Sequence, residues 1–189
     1  HLPAAITSAP PLHNERWRLA TLFLYATGIR LGEFCRLKRA HIRWDQGYFE
    51  IERNKQNKPL LIALTPAIEQ IIRTAQALDQ SEYVFSRDGQ PIAYEAAKQY
   101  YRWISKKMVY PVSAHRFRHS HGSHRVEAGD NLKNIQDSLG HADIRTTTKF
   151  YVDLPLASQR DGLQRLPIAG LLAIPAVRMP ARKSVKHTQ

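Results

Sequence analysis

The segment from Ser113 to His119 contains residue types that suit phosphate chemistry. If the segment is helical, His115 and Arg118 are three positions apart and lie on the same face. The guanidinium of arginine is a planar fork of donors that matches two oxygens of a phosphate. A histidine exchanges a proton near neutral pH. The pair is therefore suited to binding a phosphate and moving a proton beside it.

Two further residues suited to this chemistry follow the segment. His141 comes directly after Leu139 and Gly140, so we expect a turn to hold its side chain. Tyr151 lies further along the chain. A single tyrosine is most often a core aromatic whose hydroxyl has a partner. It becomes a candidate nucleophile only where cations can stabilise the charge that develops on a reacting phosphate.

The same region is a long stretch without acidic residues. No Asp or Glu occurs from residue 96 to residue 126, whereas a solvent-facing helix usually mixes both signs. The whole chain has 28 Lys and Arg against 16 Asp and Glu, a formal charge of +12. Such a surface favours a polyanion, because each phosphate contact releases condensed counterions. The residues of the stretch that we expect to bind nucleic acid are Lys98, Arg102, Lys106, Lys107, Arg116 and Arg125, with Tyr100, Tyr101 and Trp103 interleaved.

A metal site is an alternative use of this region. His115, His119, His121 and His124 are closely spaced, and the first two have the i, i+4 spacing seen in zinc sites. No cysteine or carboxylate lies nearby, and the neighbouring arginines would repel a dication. We expect no metal and no cofactor, with zinc as the open alternative.

The elements that must position these residues are mostly helices. Apolar periodicity predicts helices over residues 14–28, 31–38, 65–78, 94–108, 114–128 and 131–139, and one from about residue 146. Thr65, Ser113 and Asn131 are predicted N-caps. Residues 48–52 and 60–64 predict a β-hairpin across a polar turn, and residues 83–85 a short strand before the Asp88-Gly89 turn. The predicted fold class is mainly α with one small antiparallel β-sheet (α+β).

The pattern divides the chain into three parts. Residues 1–13 form an irregular lead-in, residues 14–154 one domain, and residues 155–189 a basic tail that contains prolines. His1 is not an initiator methionine, so we expect a processed or cut N-terminus. The single cysteine, Cys35, indicates a reducing compartment. Its apolar neighbourhood predicts a buried thiol. With no secretory signal and no spanning apolar run, we expect a cytoplasmic protein that does not enter a membrane.

In order and spacing, these features resemble the tyrosine recombinase (phage integrase) family from about Arg16 to Asp153. Residues 26–33 (ATGIRLGE) resemble its first motif, which contains an arginine. Residues 115–118 (HRFR) fit its His-x-x-Arg motif, with Phe in place of the more common Leu. Residues 139–141 (LGH) fit its Leu-Gly-His motif, and the family's nucleophile matches Tyr151.

The resemblance implies the fold of a recombinase catalytic domain and a reaction that breaks and rejoins DNA. Arg30 and Arg118 would clamp the scissile phosphate, and His141 would add a hydrogen bond. His115 would take and return the proton of Tyr151. The products would be a 3′-phosphotyrosyl enzyme and a free 5′-hydroxyl. Because the ester conserves the bond energy, neither ATP nor a metal is required.

Two more site residues follow from the resemblance. A lysine on the hairpin would protonate the leaving 5′-oxygen, and it maps best onto Lys55, with Lys58 as a nearby alternative and DNA contact. Glu33 would orient His115 or Arg30 without touching DNA.

The resemblance also implies partners. These are double-stranded DNA, three further protomers that complete a tetramer on DNA, and accessory DNA-bending or directionality proteins. The apolar segment 168–173 would either dock on a neighbouring protomer or be disordered with the rest of the tail. The family's N-terminal core-binding domain has no counterpart in this sequence, which leaves open whether the chain acts alone or is a fragment, phage-encoded or bacterial.

Two other functions share parts of this pattern. A type IB topoisomerase uses the same residue types but relaxes supercoils, and the Leu-Gly-His motif and compact spacing argue against it. A catalytically idle DNA-binding protein would use the same basic surface, and the complete set of motifs argues against that.

Overall fold

The computed structural model describes residues 15–52, 59–108 and 111–139, together with residues 163, 164, 166 and 168. Within these ranges the chain is mainly helical with small antiparallel sheets, which confirms the predicted fold class. The helices are α1 (Glu15–Thr27), α2 (Leu31–Arg36), α3 (Pro66–Ala77), α4 (Tyr94–Ser105), α5 (Ala114–Glu127) and α6 (Leu132–Leu139), with a short 3₁₀ turn at Arg39–His41. The strands are β1 (Ile42–Arg43), β2 (Tyr48–Ile51), β3 (Leu60–Ala63), β4 (Ser86–Arg87) and β5 (Gln90–Pro91).

Helix α1 is the centre of the core. Its residues are apolar on nearly every side, and every residue from Leu19 to Thr27 is buried. The ring of Phe23 lies 4.9 Å from that of Phe85 and 5.6 Å from that of Phe49, centroid to centroid. Cys35 is buried beside this cluster, and burial raises the pKa of its thiol to about 11. Helices α3 and α5 pack against α1, so the core is built around one helix.

The predicted hairpin is confirmed. Strands β2 and β3 pair antiparallel, with Phe49 opposite Ile62 and Ile51 opposite Leu60. Phe49 and Ile51 are buried, whereas the alternate residues are half-buried, as expected for a sheet with one face on the core. The turn that carries Lys55 and Lys58 lies outside the described residues.

The predicted strand at residues 83–85 is wrong in its placement. Tyr83 forms only an isolated bridge with Lys38, and the amide of Val84 donates to the carbonyl of Leu37 at 2.9 Å. This extended segment therefore pairs with the chain after α2. The strands β4 and β5 begin after it and form a second, two-stranded sheet across the Asp88-Gly89 turn.

The three predicted N-caps are confirmed, because each side-chain oxygen accepts an amide of the following turn. These bonds join Thr65 to Ile68, Ser113 to Arg116 and Asn131 to Lys133, at 3.3, 3.2 and 2.8 Å. The caps fix where α3, α5 and α6 begin.

Part of the predicted tail belongs to the core of this chain. Leu163, Leu166 and Ile168 are buried with the α1 cluster. Ile168 is the first residue of the segment 168–173 that we expected to dock on a neighbour or to be disordered. The rest of that segment, and the helix predicted from about residue 146, lie outside the described residues. None of the helices in the described ranges has the length and apolar composition needed to cross a bilayer.

Gly28 is required by its backbone and by its surroundings. Its φ of +64° is in the left-handed region, and a Cβ there would meet Leu139 Cδ2 at 2.6 Å and His121 Cδ2 at 2.8 Å. We expect Gly28→Ala to lower the free energy of unfolding by about 3 kcal/mol, combining backbone strain with overpacking. Denaturant unfolding measures the change.

Gly129→Ala is the matched control. Gly129 also has a positive φ, of +80°, but no atom lies within 4 Å of its Cβ position. Only the backbone cost remains, so we expect a loss of about 1 kcal/mol. Equal losses at the two positions would show that the close approach of α5 and α6 to Gly28 is not tight.

Candidate functional site

Helix α5 presents a polar face to the core. Its buried residues are Phe117, Arg118, His121 and Arg125. Their spacing follows one side of a helix, but only Phe117 is apolar. Buried polar groups are costly unless each has a partner. The partners of the three polar side chains therefore determine how α5 is held.

Arg118 joins the ends of two other helices. Its Nη1 donates to the carbonyl of Gly28 at 2.7 Å, and its Nη2 donates to the carbonyl of Leu139. Both carbonyls lie at helix C-termini, at the end of α1 and the end of α6, where the helix supplies no amide. The negative end of each helix dipole favours a cation there. Arg118 thus fixes the start of the segment that leads to Arg30 and the start of the segment that leads to His141.

Glu33 positions Arg30. The Glu33 carboxylate is buried; its Oε2 accepts the backbone amide of Arg30 at 2.8 Å and its Oε1 accepts Arg30 Nη1 at 3.0 Å. The first bond caps α2 and the second directs the guanidinium, whose side chain is 48% exposed. Of the two partners expected for Glu33, these contacts favour Arg30.

Arg30, His115 and Arg118 line one pocket of about 330 Å³. Lys98 and Arg102 of α4 line the same pocket, so two of the predicted DNA contacts adjoin the predicted clamp. No carboxylate is among these lining residues, and the other walls are the apolar or neutral residues Ile29, Leu31, Tyr94, Tyr101, Val112, Ser113 and Ala114. Such a pocket is suited to an oxyanion, which the cationic side chains would bind through charge-assisted hydrogen bonds.

Half of the predicted catalytic set is therefore brought together. The other three residues, Lys55, His141 and Tyr151, lie outside the described residues. Their roles, and that of Lys58, stay predictions.

The other basic residues of the stretch lie in two environments. Lys106, Lys107 and Arg116 are exposed, as a surface that binds a polyanion requires. Lys107 lies over the ring of Trp103, with its Nζ 4.9 Å from the centroid. Arg125 is entirely buried.

Arg125 is a correction to the predicted DNA contacts. Its Nε donates to Asp130 Oδ2 at 2.7 Å, and its Nη1 donates to Ser138 Oγ at 2.6 Å. Burial lowers the pKa of this guanidinium, and the hydrogen bond with Asp130 opposes that shift. The side chain has no exposed surface to offer DNA; it links α5 to α6.

Two of the interleaved aromatic residues also pack inward. The Tyr101 hydroxyl lies 3.2 Å from Thr21 Oγ1 in the core, and Tyr100 stacks on Trp17 at 4.0 Å between centroids. Burial raises the pKa of both hydroxyls. These rings join α4 to α1 and are not a nucleic-acid surface.

The four histidines of α5 do not converge on one point. His115 and His119 are exposed, and their Nε2 atoms are 2.9 Å apart. His121 Nδ1 lies 2.9 Å from the carbonyl of Tyr25, and His124 Nδ1 lies 2.6 Å from the Tyr25 hydroxyl. Among the described residues, no group of three or more metal-ligating side chains is arranged around a common centre. The contact between His115 and His119 was not expected from the sequence; their i, i+4 spacing was its only indication.

Comparison with known proteins gives a family match over most of the chain. The model described as "Phage integrase family" matches residues 4–156. Tyrosine recombinase XerA of Pyrococcus furiosus is 28% identical over 163 residues, which cover 82% of this chain and 56% of that protein. Tyrosine recombinase XerD of Listeria innocua is 31% identical over 136 residues, which cover 66% of this chain and 46% of that protein. The chain spans about half the length of these curated relatives.

Solved structures share the fold. The integrase from mycobacterium phage Brujita superposes with a TM-score of 0.70 at 18% identity, over 92% of this chain and 61% of that one. A lambda integrase tetramer bound to a Holliday junction gives a TM-score of 0.55 at 18% identity, over 81% of this chain and 46% of that one. At these identities the likeness concerns the fold alone.

His121 makes stability depend on pH. Burial, and next the charge of Arg125, lowers the pKa of its imidazole to about 3. An unfolded chain binds that proton near pH 6.5, so the stability from neutral His121 is present above about pH 6.5 and is lost as the pH falls towards 3. At about 1.4 kcal/mol per pKa unit, this shift corresponds to a loss of about 5 kcal/mol.

His121→Asn tests this dependence. The Asn amide can donate to the Tyr25 carbonyl as the His121 Nδ1–H does, but it does not titrate. We expect the free energy of unfolding to fall less steeply between pH 6.5 and pH 3 in the variant than in the wild type. The free energy of unfolding is measured by urea denaturation at a series of pH values. If it falls equally steeply with pH in the variant and the wild type, His121 is not buried in the neutral state.

Proposed function

Because this chain belongs to the phage integrase family, we propose that it cuts and rejoins DNA strands in site-specific recombination. The single observation that carries the proposal is the pocket in which Arg30, His115 and Arg118 meet. The family match supplies the reaction class, and the pocket supplies side chains of the required types in one place.

The scissile phosphate would occupy this pocket. Arg30 and Arg118 would donate to its two non-bridging oxygens and stabilise the charge that develops during attack. Arg118 is anchored at both helix ends and Arg30 by Glu33, so neither guanidinium needs to be ordered when DNA binds.

Tyr151 would be the nucleophile. The segment that carries it begins at Leu139, whose carbonyl Arg118 holds, so one arginine would both bind the phosphate and anchor the nucleophile's segment. Attack on phosphorus would form the 3′-phosphotyrosyl ester and release the 5′-oxygen. His141 would donate a further hydrogen bond to the phosphate.

Two groups would move protons. His115 would take the proton of the Tyr151 hydroxyl and return it when the strand is rejoined. Lys55, or Lys58 in its place, would protonate the leaving 5′-oxygen. No metal and no ATP would take part.

The DNA backbone would continue along the basic surface beside the pocket. Lys98 and Arg102 would contact the phosphates nearest the scissile one, and Lys106, Lys107 and Arg116 those further along. Arg125 is not part of this proposal.

The partners would be those of a recombinase that acts on two duplexes. Lambda integrase has been solved as a tetramer on a Holliday junction and as a dimer on a core site, which supports a DNA-bound assembly here. We propose a tetramer on double-stranded DNA, with accessory DNA-bending or directionality proteins, in the cytoplasm. The domain, which we expected to span residues 14–154 between a lead-in and a basic tail, would extend at least to Ile168, because Leu163, Leu166 and Ile168 are buried in its core.

The proposal is tested by trapping the covalent intermediate. Duplexes with a randomised region and a nearby nick are incubated with the protein, in parallel without and with a chelator. Cleavage then releases a short fragment whose 5′-hydroxyl diffuses away, so the ester accumulates. We expect an adduct that survives denaturation, and sequencing of the attached DNA identifies the site.

Tyr151→Phe is the matched control, because it removes only the hydroxyl. We expect no adduct from this variant; an adduct of wild-type yield would contradict the assignment of the nucleophile. If the wild type forms none, an idle DNA-binding protein is the better description. Relaxation of supercoiled DNA without strand exchange between paired sites would identify a topoisomerase, and loss of the adduct on adding chelator would favour the zinc alternative.

Arg102→Gln tests the path of the DNA. If Arg102 neutralises a phosphate, the slope of log K against log salt becomes smaller in magnitude by about 1 in the variant. Arg73→Gln is the control, since Arg73 is an exposed arginine of α3 that does not line the pocket. Fluorescence anisotropy over a salt series measures both. Equal slopes for Arg102→Gln and the wild type would contradict this path.

A further inference from the structure

His115 has a close partner on the same helix. Its Nε2 lies 2.9 Å from the Nε2 of His119, and the two rings are perpendicular, with centroids 4.4 Å apart. The i, i+4 spacing puts both imidazoles on one face of α5. His115 lines the pocket, and His119 does not. His119 therefore contacts the pocket only through its neighbour, among the contacts described.

A hydrogen bond between two imidazoles restricts both tautomers. One Nε2 must carry the hydrogen and the other the lone pair. If His115 donates, its hydrogen is on Nε2 and its Nδ1 carries a lone pair. If His119 donates, His115 carries its hydrogen on Nδ1 and has no nitrogen left to accept a proton. The direction of this bond thus decides whether His115 can act as a base.

We propose that His119 is a positioning residue that accepts the Nε2–H of His115 and keeps Nδ1 of His115 ready to take a proton. The inference rests on the proposed function, in which His115 receives the proton of Tyr151. As the Tyr151 oxygen bonds to phosphorus and the bond to the 5′-oxygen breaks, the tyrosine proton moves to Nδ1 of His115. The hairpin lysine protonates the 5′-oxygen. Rejoining reverses each transfer.

The electrostatics of the pocket explain why a neutral acceptor is used. The imidazolium formed at His115 lies in a pocket lined by Arg30, Arg118, Lys98 and Arg102, with no carboxylate among the lining residues. A carboxylate beside His115 would stabilise the imidazolium but would also offset the charge that binds the phosphate. His119 offers a lone pair without a negative charge. The bond to it becomes charge-assisted once His115 is protonated.

Two substitutions separate this role from packing or charge. His119→Phe keeps an aromatic ring but has no nitrogen, and His119→Gln keeps a polar group that can accept the Nε2–H. The rate of adduct formation is measured in single turnovers at saturating DNA, and DNA affinity separately. We expect His119→Phe to slow adduct formation by about tenfold, the effect of one hydrogen bond to a charged group. DNA affinity should change less than twofold, and His119→Gln should restore most of the rate.

A second readout does not depend on activity. Nitrogen-15 NMR of the histidine side chains in mildly alkaline buffer, where imidazoles are neutral, identifies which nitrogen of His115 carries the hydrogen. We expect Nε2–H in the wild type and in His119→Gln, and a mixture of tautomers in His119→Phe. A chelator is present throughout, so that no metal ion bridges the two rings.

Three results would overturn the inference. One is a hydrogen on Nδ1 of His115 in the wild type. The second is an unchanged rate in His119→Phe, and the third is a loss of rate that follows a matching loss of DNA affinity and is not restored by glutamine. If the wild type forms no adduct with any DNA, the proposed function fails instead, and the tautomer spectrum still decides whether His119 holds His115.

Discussion

The guanidinium of Arg118 joins the C-terminal ends of α1 and α6, and the arrangement of the pocket depends on that bond pair. The Gly28 carbonyl that it holds lies two residues before Arg30, and the Leu139 carbonyl lies two residues before His141. A change at Arg118 would therefore displace other candidate site residues as well as removing a cation. The close approach also explains the glycine at position 28, where any side chain would collide with His121 and Leu139. The same pair of hydrogen bonds from Arg118 therefore stabilises the fold and positions the candidate site.

The other two polar residues of the buried α5 face, His121 and Arg125, are also held by hydrogen-bond partners. They differ in charge, because His121 is neutral and Arg125 is positive. His121 donates to the Tyr25 carbonyl and stays neutral, because burial and the charges of Arg125 and Arg118 lower its pKa. Arg125 keeps its charge because Asp130 lies against it. A positive charge at His121 would have no carboxylate among its described contacts. The positive potential at Arg118 thus comes from arginine side chains and not from His121. It does not change with pH in the physiological range, because arginine does not titrate there.

The sequence predicted most elements and five of the residues that line the pocket, because helix periodicity, N-caps and motif spacing are local properties. Three predictions failed where a long-range contact decides the outcome. Val84 and Phe85 form an apolar run like that of a strand, but they are buried by docking on the chain after α2. Tyr100 and Tyr101 are interleaved with basic residues, as in a nucleic-acid surface, but both pack against α1. Arg125 belongs to a one-signed stretch, and composition does not distinguish an exposed arginine from a buried one. Asp130, five residues on, was the only sequence feature that could have indicated its pairing.

The charges around the candidate phosphate site are partly offset within the protein, and this bears on how the proposed reaction would be accelerated. Glu33 balances Arg30, and the two helix ends at Arg118 each contribute about half a negative charge. The guanidinium groups of Arg30 and Arg118 stay directed at the pocket. The negative groups beside them reduce the net electrostatic attraction for a singly charged phosphodiester. A transition state that carries additional negative charge gains more from those fixed donors than the bound substrate does. Catalysis requires that difference, since equal stabilisation of both would lower KM without raising kcat.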